Sequence, residues 1–322
     1  MRTIAVADIG GTHARFALAE IDGGRVVSLG TPVKLKTADH ASFQLAWQEF
    51  GRWMDIELPT ELAIAFAGPV GGEVLKLTNN PWVIRPYLMK ERLGVDRFTI
   101  VNDFGAVAHA VATLPDDQFR TIWGPDKPLP NEGIISVVGP GTGLGVAALL
   151  RRDDHYEVIE TEGGHVDFAP LDKLEDKILA RLRRNFRRVS VERIASGPGL
   201  MNLYEALGAM EKQALAFHDE KELWAAAVAG TDSLANAALD RLCLTLGAVT
   251  GDMALAQGAI AVVIGGGVGQ RIADYLPHSG FRGRFIAKGR FERRMDEMPV
   301  KLITYPEPGL FGAAAAFARE YA

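Results

Sequence analysis

One cysteine in 322 residues, Cys243, leaves no pair for a disulfide within the chain and rules out a cysteine-rich zinc site. That usage suits a reducing compartment, so a cytoplasmic location is expected. No apolar run approaches the roughly 18 residues that a membrane helix needs, and no membrane partner is expected. The opening residues, MRTIAVADIGG, lack the apolar core and cleavage site of a secretory leader and read as a short strand entering a glycine turn. An excess of positive charge is also missing: 35 Lys and Arg against 40 Asp and Glu give a net charge of -5. The chain as a whole therefore does not attract nucleic acid, and an anionic ligand must be held by local geometry. No Gly-Lys-Ser/Thr follows a glycine turn, and no strand-to-helix GxGxxG with a downstream acid occurs, so both commoner nucleotide-binding patterns lose ground.

What is present describes a globular α/β protein. Hydrophobic residues make up 48 % and charged residues 23 %, enough to bury a large interior, and the length favours two lobes over one core. Residues 3–8 read as a strand, GGTHA as a tight turn and RFALAEI as a second strand, with a hairpin signal at Asp22-Gly23-Gly24. A third strand is expected over 26–35 and a helix from about 41 to 54, where Phe43, Trp47, Phe50 and Met54 recur at helical spacing. ELAIAFAGPV and RFTIVNDF read as buried strands that end in turns. Residues 112–132 change to Pro, Asp and Lys with little periodicity and read as the crossing between lobes. This divides the chain into a smaller domain of 1–112 plus 303–322 and a larger one of 113–302. GIISVVG, PGTGLG and VAALLRR repeat the opening strand-turn-strand, a degenerate duplication that suggests two similar lobes facing one cleft. Helices are expected over 172–188 and 221–258, and AIAVVIGGGVG as a strand running into three glycines. The small-residue tail EPGLFGAAAAFAREY reads as a helix returning to the first lobe.

Three glycine turns, each after a buried strand, carry the clearest chemistry: Asp8-Ile9-Gly10-Gly11-Thr12, Gly139-Pro140-Gly141-Thr142-Gly143-Leu144-Gly145, and Gly265-Gly266-Gly267. Glycine lets backbone N–H groups converge on an anion, and a threonine hydroxyl adds a donor. Any one of them reads equally as a plain hairpin or bulge; three in this order point to a nucleotide. Asp103, after the strand TIVN, is either a carboxylate placed to accept a hydroxyl proton or a cap for a helix beginning near Ala106. Glu162 and His165 straddle Gly163-Gly164, a bend that suits inward-aimed side chains, a surface turn or a partial metal site. Glu192 in RVSVERI has the pattern of an exposed residue. Asn79 and Asn80 before Pro81-Trp82 suit either the lining of a sugar pocket from the first lobe or an ordinary turn.

Together these blocks resemble a known family. DxGGT, GPGTGLG and GGGV resemble the two phosphate loops and the adenosine loop of the actin/hexokinase-like ATPase superfamily. LTNNPW (77–82), VNDFGAVAHA (101–110), EGGHVDF (162–168), SVERIASGPGL (190–200) and GLFGAAAAF resemble the bacterial glucokinases within it. The resemblance implies a two-lobed actin/hexokinase-like (ribonuclease H-like) ATPase fold with a ligand cleft between the lobes, glucose and ATP as ligands, and often a homodimer. It implies γ-phosphoryl transfer to the 6-hydroxyl of glucose, with Asp103 as catalytic base and Asn79, Asn102, Asp103, Glu162, His165 and Glu192 on the sugar. It places Asp8, Gly10, Gly11, Thr12, Gly141, Thr142, Gly143, Gly265, Gly266 and Gly267 on ATP, and Asp8 near Mg2+ through water, where one carboxylate plus phosphates suffices chemically. His13 stands where relatives commonly carry Asn. The zinc-binding Cys/His signature of the repressor/open-reading-frame/kinase branch is absent, so no zinc is expected. A kinase for another hexose is the nearest alternative. A non-catalytic sugar sensor would need a DNA-binding helix pair, for which no room is expected before the first glycine turn. The run RLRRNFRR (181–188) reads as a solvated helix face, not a nucleic-acid surface.

Overall fold

The computed structural model describes residues 1–77, 80–153 and 155–322. Asn79, one of the expected sugar-reading residues, lies outside the described residues. The chain divides into two compact units, Met1–Pro115 with Tyr305–Ala322, and Asp116–Thr304.

The first unit is built on β1 (Arg2–Ile9), whose interior is apolar without alternation because both faces are covered. Ile4 and Val6 join one buried cluster, while Ala5, Ala7 and Ile9 join another with Phe43, Trp47 and Phe50. β1 pairs antiparallel with β2 (His13–Asp22), whose outer edge carries two short strands, β3 (Arg25–Leu29) and β4 (Val33–Lys36). The single strand expected over 26–35 is therefore split. Gly30 donates its N–H to the Leu18 carbonyl at 2.8 Å, and Pro32 has no N–H to continue the ladder. Ser42 caps α1 (Phe43–Met54), whose aromatic side packs on Phe16. β5 (Glu61–Phe66) pairs parallel with β1. A two-stranded ladder of β6 (Leu75–Lys76) and β7 (Val83–Ile84) and a short helix α2 (Met89–Leu93) lead to β8 (Arg97–Asn102), which pairs parallel with β5. α3 (Asp103–Thr113) continues without a break and begins three residues earlier than the sequence suggested, because Asn102, not Asp103, is its cap.

The stretch read as a crossing also contributes a strand, β9 (Phe119–Trp123), to the second unit. There β10 (Gly133–Pro140), β11 (Leu144–Arg152) and β12 (His155–Thr161) form an antiparallel run. α4 (Lys173–Leu182) ends at Leu182, so most of the arginine run lies beyond it in turns rather than on a helix face. α5 (Gly197–Glu211), α6 (Glu220–Ala229) and α7 (Ser233–Gln257) pack around Leu203, Leu223 and Leu239. The expected helix over 221–258 is two helices, because α6 stops at Gly230 and Asp232 caps the next one. β13 (Ala261–Ile264), α8 (Gly266–Arg271), α9 (Phe281–Ile286), α10 (Glu292–Asp296) and β14 (Val300–Ile303) complete the unit.

The two sheets repeat one topology. The first runs β3-β2-β1-β5-β8 and the second β12-β11-β10-β13-β14, with β9 added at the edge. In each, an antiparallel three-strand run is joined by two strands parallel to its central-most member, β1 or β10. The last helix, α11 (Pro308–Glu320), belongs to the first unit, as its small residues suggested. It lies against α3 so closely that a Cβ on Gly312 would overlap the Ala106 carbonyl oxygen.

This packing buries His109 of α3, and burial, aided by the Arg319 cation of α11, lowers its pKa from 6.5 to about 4. The unfolded chain takes up this proton below its ordinary pKa while the folded chain does not, so stability contributed by the neutral ring at pH 7 is lost as pH falls. Between pH 7 and about 4.5 this loss is about 2 to 3 kcal/mol. Urea unfolding at the two pH values should show a larger fall for the native chain than for His109→Gln by that amount; parallel falls would show that His109 does not couple folding to pH.

Candidate active site

In the second unit, two of the three glycine turns meet. The turn joining β10 to β11 closes on itself through Gly141 N–H donating to the Gly143 carbonyl at 2.8 Å. The Gly265 N–H, at the end of β13, donates to the Val138 carbonyl at 2.9 Å. Gly266 then starts α8 at φ 77, and a Cβ there would stand 2.5 Å from the Pro140 carbonyl oxygen. Only glycine accepts both conditions, so Gly266 brings the third turn onto the second. At Gly141 and Gly267 a Cβ would meet nothing within 4 Å, so the backbone at both positions borders open space. A third participant was not singled out by sequence: the Gly197 N–H, in the first turn of α5, donates to the Gly141 carbonyl at 2.7 Å. Ser196-Gly197-Pro198 is a legible helix start, with a capping serine and an early proline, but its partner is 56 residues away in sequence and no local pattern names it.

The same turn is bordered by sugar-side candidates. A Cβ on Gly143 would lie 2.9 Å from a Glu192 carboxylate oxygen. Glu192 lies in a short 3-10 turn, largely enclosed, with Oε1 3.7 Å from His165 Nδ1. It is therefore not the exposed residue its flanking pattern suggests. His165 follows Gly163-Gly164, and a Cβ on Gly164 would overlap the Leu144 carbonyl oxygen, which presses this bend onto β11. Backbone bonds from Phe168 N–H to the Val189 carbonyl at 3.0 Å and from Val191 N–H to the Val166 carbonyl at 2.9 Å tie the bend to the Glu192 turn. His165 and Glu192 are thus brought together, and Glu162, just before the bend, is exposed.

In the first unit the opening glycine turn joins β1 to β2, with Gly10 N–H donating to the His13 carbonyl at 3.0 Å. This is a backbone bond that any residue at 13 supplies. Asp8, at the end of β1, is held by Arg15, whose Nη1 lies 3.4 Å from Asp8 Oδ2 and 3.1 Å from Glu307 Oε2. Burial raises the Asp8 pKa, Arg15 opposes that rise and Glu307 adds to it. An enclosed carboxylate beside a second one is a place where an added cation is favoured. Among the described residues no group of three or more His, Cys, Asp or Glu gathers to hold a metal ion. A cation at Asp8 would therefore be held largely by the oxygens of its ligand and by water, which suits Mg2+. Arg15 and Glu307 carry no motif and were not singled out by sequence.

Asn102 and Asp103 stand where β8 becomes α3. Asn102 Oδ1 accepts the Phe104 and Gly105 N–H groups at 2.9 and 3.2 Å, and its Nδ2 donates to the Gly68 carbonyl at 3.2 Å. Its amide is thus oriented by the fold, whatever else it contacts. Asp103, half-buried, accepts the Phe104 N–H through Oδ1 at 2.8 Å, which sets the direction of its carboxylate.

Comparison with known proteins identifies the family. A family model described as Glucokinase matches residues 5–320. A glucokinase of Zymomonas mobilis subsp. mobilis is 64 % identical over 318 residues, covering 99 % of this chain and 98 % of that protein. The crystal structure of a glucokinase from an Antarctic psychrotroph superposes with a TM-score of 0.82 at 34 % identity, over 98 % of this chain and 99 % of that one. A ROK family glucokinase from Streptomyces griseus, solved with glucose and AMPPNP, shares the fold with a TM-score of 0.65 at 20 % identity, over 97 % and 98 % of the two chains. The fold is that of the actin/hexokinase-like ATPases, and the chain belongs to the glucokinase family.

Proposed function

We propose that this chain transfers the γ-phosphoryl group of ATP to the 6-hydroxyl of glucose, giving glucose 6-phosphate and ADP, with Asp103 as the catalytic base. The observation that carries the assignment of the base is the placement of Asp103: first residue of α3, at the carboxyl end of β8, its carboxylate already oriented by the Phe104 N–H. The sugar oxygen forms a bond to the γ-phosphorus, the bond to the ADP oxygen breaks, and the hydroxyl proton passes to the Asp103 carboxylate. Asn102 beside it reads a neighbouring hydroxyl, and the family resemblance assigns His165, Glu192 and Glu162 to the sugar as well; carboxylates and amides suit this because each sugar hydroxyl both donates and accepts. Asn79 is assigned to the sugar by resemblance alone.

By the family resemblance, N–H groups left uncommitted in the turns at Gly10–Thr12 and Gly141–Gly143 take the phosphates, with the Thr12 and Thr142 hydroxyls as added donors, and the turn at Gly265–Gly267 takes the adenosine. Mg2+ would supply neutralisation of the phosphate charge, and Asp8 is the residue that would hold it, through water. The single buried Cys243 supports a cytoplasmic setting. The family resemblance supports a homodimer and a role at the entry to glycolysis.

Asp103→Asn keeps the shape and removes the base. Its kcat should fall by about 10² to 10⁴ while the dissociation constant for glucose stays near that of the native chain. Turnover close to native would remove Asp103 from the mechanism. Across a panel of hexoses in a coupled ADP-release assay, glucose should exceed its C2 and C4 epimers in kcat/KM by at least about 10², because a misplaced hydroxyl leaves buried polar groups unpaired. Equal values for glucose and an epimer would point to a broader hexose kinase.

A further inference from the structure

The first glycine turn is held by two side chains that no motif singles out for that task. The Gly11 carbonyl accepts from Thr37 Oγ1 at 2.9 Å and from Asn80 Nδ2 at 3.2 Å, and the Thr12 carbonyl accepts the Thr37 N–H at 3.1 Å. A peptide unit is planar, and in the trans form its C=O and N–H point in opposite directions. No cis peptide occurs among the described residues. Two donors on the Gly11 carbonyl therefore aim the N–H of the same peptide unit, that of Thr12, the other way. Among the described residues that N–H has no acceptor, whereas the Gly10 N–H is taken by His13.

Both donors are anchored in turn. Thr37 is buried, at 2 % exposure, directly after β4. Asn80 Oδ1 accepts the Trp82 N–H at 2.8 Å, and the Trp82 ring is buried with Nε1 donating to the His40 carbonyl at 2.7 Å. The clamp is tied through Trp82 to the aromatic core of the first unit, where its ring lies 6.2 Å from that of Phe43.

We infer that Thr37 and Asn80 are positioning residues for the nucleotide: their side chains, acting through the Gly11 carbonyl, point the Thr12 N–H at a phosphate oxygen. This rests on the reading of the turn as a phosphate loop. The Thr37 hydroxyl and the Asn80 amide share one acceptor, so losing either leaves the other in place, and losing both frees the peptide to rotate.

The test is isothermal titration of the full chain with AMPPNP and Mg2+, and separately with adenosine, which has no phosphate. Thr37→Val and Asn80→Ala should each weaken AMPPNP binding by about fivefold, the worth of one neutral hydrogen bond. The double variant should weaken it by more than the product of the two. Adenosine binding should stay within about twofold in all of them, and Thr37→Ser should bind AMPPNP like the native chain. Should Thr37→Val fail to fold, Asn80→Ala, at a half-exposed position, carries the comparison. AMPPNP binding unchanged in the variants, or adenosine and AMPPNP weakened alike, would overturn the inference. If the native chain itself neither binds AMPPNP nor phosphorylates glucose, the proposed function falls and the inference with it; if it does both and the double variant binds normally, only the inference fails.

Discussion

Much of the site depends on one constraint: stretches of backbone lie where a side chain would otherwise be. Gly266 rests on the Pro140 carbonyl, Gly164 on the Leu144 carbonyl, and Gly312 on the Ala106 carbonyl. The first contact joins two glycine turns, the second places the bend that carries His165, and the third seats the last helix against the helix that begins with Asp103. Any Cβ at these positions would push apart the elements that each contact joins. The protein accepts the entropic cost of glycine there because no other residue permits the approach.

A duplicated sheet explains why the first two of these contacts fall at strand ends. In both units the central strand pairs antiparallel with the next strand and parallel with a later one, so its carboxyl end opens into a turn beside other strand ends. Anion-binding turns arise naturally at such ends. Within this shared plan the units differ in the residues that close their parallel strands. The first ends β8 in Asn102 and Asp103, a capping amide next to a carboxylate, and the second ends β13 in glycines that start α8. One plan thus carries a carboxylate after a parallel strand in one copy and glycine backbone after a parallel strand in the other.

The sequence made the architecture legible wherever a signal was local. Strand-turn-strand units, the aromatic spacing of α1 and the small-residue tail each name their own structure. Failures came where the deciding partner was distant or a boundary residue was misjudged. Gly30 and Pro32 split a strand whose composition alone looked continuous. α3 starts at Asp103 because Asn102 caps it, and two adjacent capping residues give no local reason to prefer the first. The run 181–188 keeps helical composition after the helix has ended. Around the glycine turns, Arg15, Glu307, Gly197 and Thr37 carry no local signal of the contacts they make. Their roles are contacts across 7 to 292 positions of sequence, and only folding brings those together.

The central claim is that backbone N–H groups of the glycine turns hold the triphosphate while Asp103 faces the acceptor hydroxyl. A crystal structure with AMPPNP and glucose bound tests it most directly. Phosphate oxygens should lie within hydrogen-bond reach of the turns at Gly10–Thr12 and Gly141–Gly143, and the glucose 6-hydroxyl within reach of the Asp103 carboxylate. A nucleotide bound away from those turns, or a hexose presenting a different hydroxyl to Asp103, would contradict it.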